Sequence, residues 1–108
     1  MKKKLSELSE EDQQRAKIAK DDVAKYGSLE AVANSDGGKV IIAGLRDDAA
    51  SALYNITTKF KTAPELELRT WCGVLAERLA LLRTFKNAPS NRKGAMDALD
   101  ELLNPKES

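Results

Sequence analysis

Two long stretches of helical periodicity flank a very short linker, and this arrangement constrains the fold more than any other feature. In each stretch apolar residues recur every three or four positions, which places them on one face of a helix. The first stretch contains Ile42, Leu45, Leu53, Ile56 and Phe60. The second contains Leu68, Trp71, Leu75, Leu79 and Leu82.

The segment between the two stretches, Thr62-Ala63-Pro64-Glu65, combines a capping residue, an early proline and an acid, which is typical of a helix start. A link of a few residues favours antiparallel neighbouring helices. The sequence therefore predicts an all-α fold built on a long antiparallel helical hairpin, about 37–61 and 64–86, with shorter flanking helices. The ten apolar residues above are its predicted core.

The N-terminal part of the chain predicts a separate, polar helix. Ser9-Glu10-Glu11-Asp12 indicates a capped start with acids in the first turn, and Gly27 indicates the end. Its apolar residues are few, so the helix either docks through a narrow stripe or stays loosely attached until a partner binds. The predicted domains are this mobile or docked helix at 1–27, the hairpin domain at 28–104 and a tail at 105–108.

Local signals predict three further boundaries. Ser28 can cap a short turn, and Asn34-Ser35-Asp36-Gly37-Gly38 indicates a break, cap and hinge before the first long helix. The paired glycines lack the Walker spacing that a phosphate loop requires. Asn87-Ala88-Pro89 predicts the end of the second long helix, and Ser90 the cap of a short last helix.

Composition argues against an active site. The 108 residues include no histidine and a single cysteine, so zinc and most transition-metal sites lack their usual ligands, and no base is present for a histidine-dependent triad. Cys72 lies on an apolar stripe and is interpreted as a small core residue. We therefore expect no enzyme, no metal and no cofactor. No stretch has the length and apolarity of a membrane span, so we expect no membrane partner and a location in the cytoplasm, or in a virion assembled there.

The second long helix carries more apolar surface than one neighbouring helix can cover. A second stripe of Val74, Leu81 and Phe85 lies beside the main one. This helix is therefore either central within the domain or part of an oligomer interface, whose candidate residues are Val74, Arg78, Leu81 and Phe85.

Folding the hairpin about its linker brings Arg78 near Asp48. One interpretation is an Asp48–Arg78 pair that fixes the register of the two helices. The other is that Arg78 extends along its own stem to solvent.

Five basic residues around the end of the second long helix follow one another without an intervening acid: Arg78, Arg83, Lys86, Arg92 and Lys93. They predict either a solvated, dipole-favoured helix end or a basic patch for phosphate or an acidic protein. The net charge of +1 favours the first.

Three segments resemble a class of small helical proteins encoded by tailed bacteriophages: Asp36-Gly37-Gly38-Lys39-Val40-Ile41, Glu65-Leu66-Glu67-Leu68, and Leu75-Ala76-Glu77-Arg78-Leu79-Ala80-Leu81-Leu82-Arg83. The resemblance covers about residues 36–103. It implies a role in a virion or its assembly rather than a reaction, and it transfers no catalytic residue.

The sequence thus predicts a non-enzymatic structural or assembly protein, for instance of a phage particle, that forms a homo-oligomer or joins a larger complex through its helices. The alternative is a small regulatory binder of nucleic acid or a host protein that uses the basic residues.

Overall fold

A computed structural model describes residues 3–105 and shows three long helices. After a 3₁₀ turn at Leu5–Glu7, helix α1 spans Glu10–Asn34, α2 spans Asp36–Lys59 and α3 spans Glu65–Leu103. Helical residues make up 88% of the described chain, which contains no strand. The predicted all-α fold with long, hairpin-like helices is confirmed.

The chain divides into two compact units. The terminal unit comprises Met1–Ala31 and Asn87–Ser108, and the hairpin unit comprises Val32–Lys86. Helices α1 and α3 each contribute residues to both units. The predicted domain ranges of 1–27, 28–104 and 105–108 are a different division and stay a prediction.

In the hairpin unit, α2 and the first part of α3 run antiparallel. Lys59, at the end of α2, places its ammonium 5.9 Å from the ring centroid of Trp71, while Asp48 contacts Arg78 further from the link. Earlier residues of α2 thus lie beside later residues of α3, as in an antiparallel pair. The turn closes with the N–H groups of Thr62 and Ala63 donating to the Lys59 carbonyl, at 3.1 and 2.9 Å.

A glycine makes the junction between α1 and α2 possible. The Ser35 hydroxyl accepts from the Gly38 N–H at 3.0 Å and donates to the Val32 carbonyl at 2.6 Å, so it caps α2 and ends α1 together. A Cβ added to Gly38 would overlap the Val32 carbonyl oxygen, so no side chain fits there. The predicted break and cap at Ser35 is therefore present, and its geometry requires Gly38.

In the terminal unit, the N-terminal segment and α1 pack against the last part of α3. Leu8, Ala16 and Leu103 form a buried cluster, against which Leu99 and Leu102 pack. The predicted start of α1 is correct, because the Asp12 N–H donates to the Ser9 hydroxyl. The polar first helix is thus docked through a narrow stripe.

The predicted helix end at Gly27 is wrong. Gly27 has no positive φ and lies inside α1, and the Ser28 hydroxyl donates back to the Ala24 carbonyl instead of capping a new turn. A Cβ on Gly27 would lie 3.7 Å from Cδ of Arg92, whose guanidinium pairs with Glu30 one turn further along α1. Helix α1 therefore continues through Gly27, where it packs against α3.

The predicted helix end near Lys86 is also wrong. α3 continues through Pro89 to Leu103, so Ser90 caps no separate helix. Proline inside a helix costs about 3 kcal/mol because it removes one N–H donor and clashes with the preceding turn. This cost is opposed by contacts that stabilise the continuous helix, namely the burial of Ala88 and Leu103 and the Arg92–Glu30 ion pair. These contacts involve distant parts of the chain, so local signals do not report them.

Small side chains dominate the interior. The buried hydrophobic residues among those described are five alanines and two leucines: Leu8, Ala16, Ala19, Ala49, Ala52, Ala88 and Leu103. Alanine at a helix contact allows close approach but hides little area. Most large apolar side chains of the hairpin therefore keep part of their surface in solvent.

Candidate functional site

The described residues contain no group of three or more His, Cys, Asp or Glu side chains that could hold a metal ion. None of the helices within residues 3–105 combines the length and apolarity that spanning a bilayer requires. Cys72, interpreted from the sequence as a core residue, is exposed, and that interpretation is wrong.

Arg78 occupies a position facing α2 and forms the predicted pair with Asp48. Its Nε donates to Oδ2 of Asp48 at 3.2 Å, and its Nη1 lies 3.2 Å from Oε1 of Glu77. The Arg78 side chain is 27% exposed and that of Asp48 is 55% exposed. The alternative, in which Arg78 extends alone to solvent, does not describe the structure.

This ion pair marks one long edge of the hairpin unit. Ile41 precedes Asp48 by seven residues, which is nearly two full turns, so both lie on the same side of α2. Val74 and Leu81 are four residues before and three residues after Arg78 and share its side of α3. We call these residues the Val74 edge: Ile41, Asp48, Val74, Arg78, Leu81 and Phe85.

Apolar surface is exposed along the Val74 edge. Ile41 is 57% and Leu81 40% exposed, whereas Val74 and Phe85 are half-buried. Gly37 and Gly44 flank Ile41 at four and three residues, and a Cβ on either would meet nothing within 4 Å. The backbone of α2 is therefore open to close approach at this edge.

The structure corrects part of the predicted core. Leu53, Phe60 and Leu79 are expected to face the partner helix, but they are 50%, 57% and 43% exposed. Leu53 and Leu79 directly follow the contact residues Ala52 and Arg78, so they turn toward the edge opposite to the Val74 edge. Phe60 lies past the last residue of α2. The other predicted core residues are half-buried: Ile42, Leu45, Ile56, Leu68, Trp71, Leu75 and Leu82.

Two of the five residues of the predicted basic patch form ion pairs, and the five are divided between the two units. Arg78 pairs with Asp48 in the hairpin unit, and Arg92 pairs with Glu30 in the terminal unit. Arg83, Lys86 and Lys93 are exposed. The two arginines at helix–helix contacts are thus engaged within the fold.

Two features of these surfaces and contacts are not predicted from the sequence: the Glu30–Arg92 ion pair and the position of Ile41 on the Val74 edge. The ion pair is not predicted because both residues lie close to predicted helix ends. Ile41 is hidden because it lies one residue before the stripe residue Ile42. Its spacing of seven from Asp48, together with the flanking glycines, is the signal that identifies it.

Comparison with protein-family models, curated proteins and solved structures finds no match to this chain. A function for the protein therefore has to be inferred from its own residues and their geometry.

Proposed function

We propose that the protein is a non-enzymatic structural or assembly protein that associates with further copies of itself through the Val74 edge. Its sequence resemblance to small phage-encoded helical proteins supports placing it in a virion or its morphogenesis, and so in the cytoplasm or the particle. The observation that carries the proposal is the exposed apolar surface of Ile41 and Leu81 beside the half-buried Val74 and Phe85.

Because the hairpin unit consists of two helices, part of its apolar surface stays uncovered and can be buried by a partner. Each helix has one neighbour within the unit, and its alanine-rich contact buries little area. Covering an Ile or Leu side chain fully is worth about 1.5–3 kcal/mol. Because Ile41 and Leu81 are each about half exposed, a two-fold contact between copies gains on the order of 3–6 kcal/mol from these two residues alone.

Charge and shape favour a second copy as the occupant. Arg78 contacts both Asp48 and Glu77 near the Val74 edge, so its cation offsets part of the acidic charge and reduces like-charge repulsion between two copies of this edge. Gly37 and Gly44 leave room for a second helix beside Ile41. Glycine inside a helix costs up to about 1 kcal/mol relative to alanine, and no described residue fills the space that these two leave open.

The test compares two leucines of α3 that differ in their edge but little in their exposure. Leu81→Asp places a charge on the Val74 edge, and Leu79→Asp places the same charge on the opposite edge. The wild-type side chains of Leu81 and Leu79 are 40% and 43% exposed, respectively. The molar mass of both variants and the wild type is measured by light scattering after size-exclusion chromatography, over a range of protein concentrations. Circular dichroism checks that both variants remain helical.

We expect the wild type to form a defined oligomer that persists at high salt, because its contact is apolar. Leu81→Asp should shift the mass to that of the monomer, and Leu79→Asp should leave the oligomer intact. A wild type that stays monomeric at every concentration contradicts the proposal. Equal loss of association in both variants contradicts the assignment to the Val74 edge.

A further inference from the structure

Four basic side chains of the hairpin unit lie exposed on the edge opposite to the Val74 edge. Lys39 and Arg46 belong to α2, and Arg83 and Lys86 belong to α3. We call these four residues the basic edge. None of them forms an ion pair with an acidic residue in the part of the chain that the structure describes.

Helical spacing places these residues on one side of each helix. Lys39 and Arg46 are seven residues apart, and the same seven-residue step leads from Arg46 to the exposed Leu53. On α3, Arg83 and Lys86 follow the exposed Leu79 by four and seven residues.

The Asp48–Arg78 contact fixes which of these residues stand at the same level. Lys39 lies nine residues before Asp48, and Lys86 lies eight residues after Arg78. Since the helices are antiparallel, a step back along α2 matches a step forward along α3, so Lys39 and Lys86 lie almost opposite each other. Like charges placed close together across a helix pair are unfavourable in a monomer.

None of the neighbouring acids forms an ion pair with this group in the described part of the chain, although Asp36 lies three residues before Lys39 on α2. Asp47 follows Arg46 directly, so its side chain leaves α2 at about 100° from that of Arg46. Asp48 accepts from Arg78 on the other edge. The basic edge is therefore a local concentration of positive charge in a chain whose net charge is only +1.

We propose that the basic edge binds the phosphate backbone of double-stranded nucleic acid without preference for sequence. The four cations come from two helices whose axes lie about 8–10 Å apart, so they can reach more than one phosphate. Phe85 lies between Arg83 and Lys86 in sequence but belongs to the Val74 edge, so it does not offer base stacking beside these cations.

A duplex fits this edge better than an acidic protein does. Non-specific binding to nucleic acid needs little beyond cations, because phosphate charge is dense and regular along the helix. A stable protein interface needs a desolvated apolar centre. The exposed leucines of this edge, Leu53 and Leu79, lie beside or beyond the four basic residues and do not form such a centre among them. Binding to nucleic acid and self-association would thus use opposite edges of the hairpin unit.

The experiment measures fluorescence anisotropy of a labelled random-sequence DNA duplex titrated with the full chain between about 50 and 200 mM salt. Four phosphate contacts predict a slope of log K against log salt of about −3.6, and an affinity loss on the order of 100-fold across that range. Arg83→Gln with Lys86→Gln removes two contacts and should reduce the slope to about −1.8.

The matched control removes two exposed cations from α1, as Lys17→Gln with Lys20→Gln, and so changes net charge by the same amount. We expect this control to retain the wild-type slope. The proposal is overturned if the duplex does not bind at the lowest salt, or if both double variants lose affinity equally. Binding to polyglutamate but not to the duplex would also overturn it. Light scattering on the same samples keeps this result separate from self-association.

Discussion

Arg78 of α3 donates from its Nε to Oδ2 of Asp48 on α2 at 3.2 Å, and this contact links the two helices of the hairpin unit. An arginine at a position that faces the neighbouring helix is costly unless a partner accepts its charge. A shift of either helix by one turn would take Asp48 away from Arg78. The terminal unit repeats the device with Arg92 and Glu30.

The coupling between Asp48 and Arg78 can be measured directly. Because Asp48 is 55% exposed, solvent screens the pair, and we expect an interaction free energy of only about 0.5–1 kcal/mol. A double-mutant cycle of Asp48→Ala and Arg78→Ala, followed by urea unfolding, gives this value. The coupling should shrink at high salt. A coupling of zero at low salt would show that the pair does not contribute to register.

Adjacent glycines at the start of α2 should respond in opposite ways to alanine. Gly38→Ala forces a Cβ against the Val32 carbonyl, so we expect a loss of about 1–3 kcal/mol in unfolding free energy. Gly37→Ala meets open space and should raise stability by up to about 1 kcal/mol. Urea unfolding of the two variants, at a concentration where each is monomeric, checks this. Similar effects of both substitutions would contradict the described junction.

Gly27 tests the continuity of α1. Because it is helical and a Cβ would make only an ordinary contact with Arg92, Gly27→Ala should stabilise the protein by about 0.5–1 kcal/mol. Thermal unfolding followed by circular dichroism measures the change. A clear loss of stability would indicate that the residue needs a left-handed conformation and that the helix ends there.

The hairpin is predictable from the sequence because its signals are local or repetitive. The spacing of Ile42, Leu45 and Ile56 specifies one helix face, and the segment around Pro64 specifies a short link. Together these two signals bring Asp48 near Arg78. Periodicity defines a face only to within one position, which is why the exposed Leu53 and Leu79 are indistinguishable from core residues in the sequence.

The remaining elements depend on contacts between distant residues. Gly27 and Pro89 are both local stop signals, and both are overridden where α1 and α3 pack together around Glu30 and Arg92. The sequence indicates Arg83 and Lys86 as basic-patch residues but does not join them to Lys39 and Arg46, for a similar reason. Lys39 and Lys86 are far apart in sequence, and they become neighbours only through the register of the antiparallel pair.

Association of copies through the Val74 edge can be tested by cysteine reactivity. A variant with Cys72→Ser and Leu81→Cys carries its single thiol on the Val74 edge, whereas the wild-type thiol of Cys72 is exposed away from it. The rate of maleimide labelling is measured for both proteins at low and high protein concentration. We predict that labelling at position 81 slows strongly as concentration rises, while labelling of Cys72 stays unchanged. A labelling rate at position 81 that does not depend on protein concentration would rule out association through the Val74 edge.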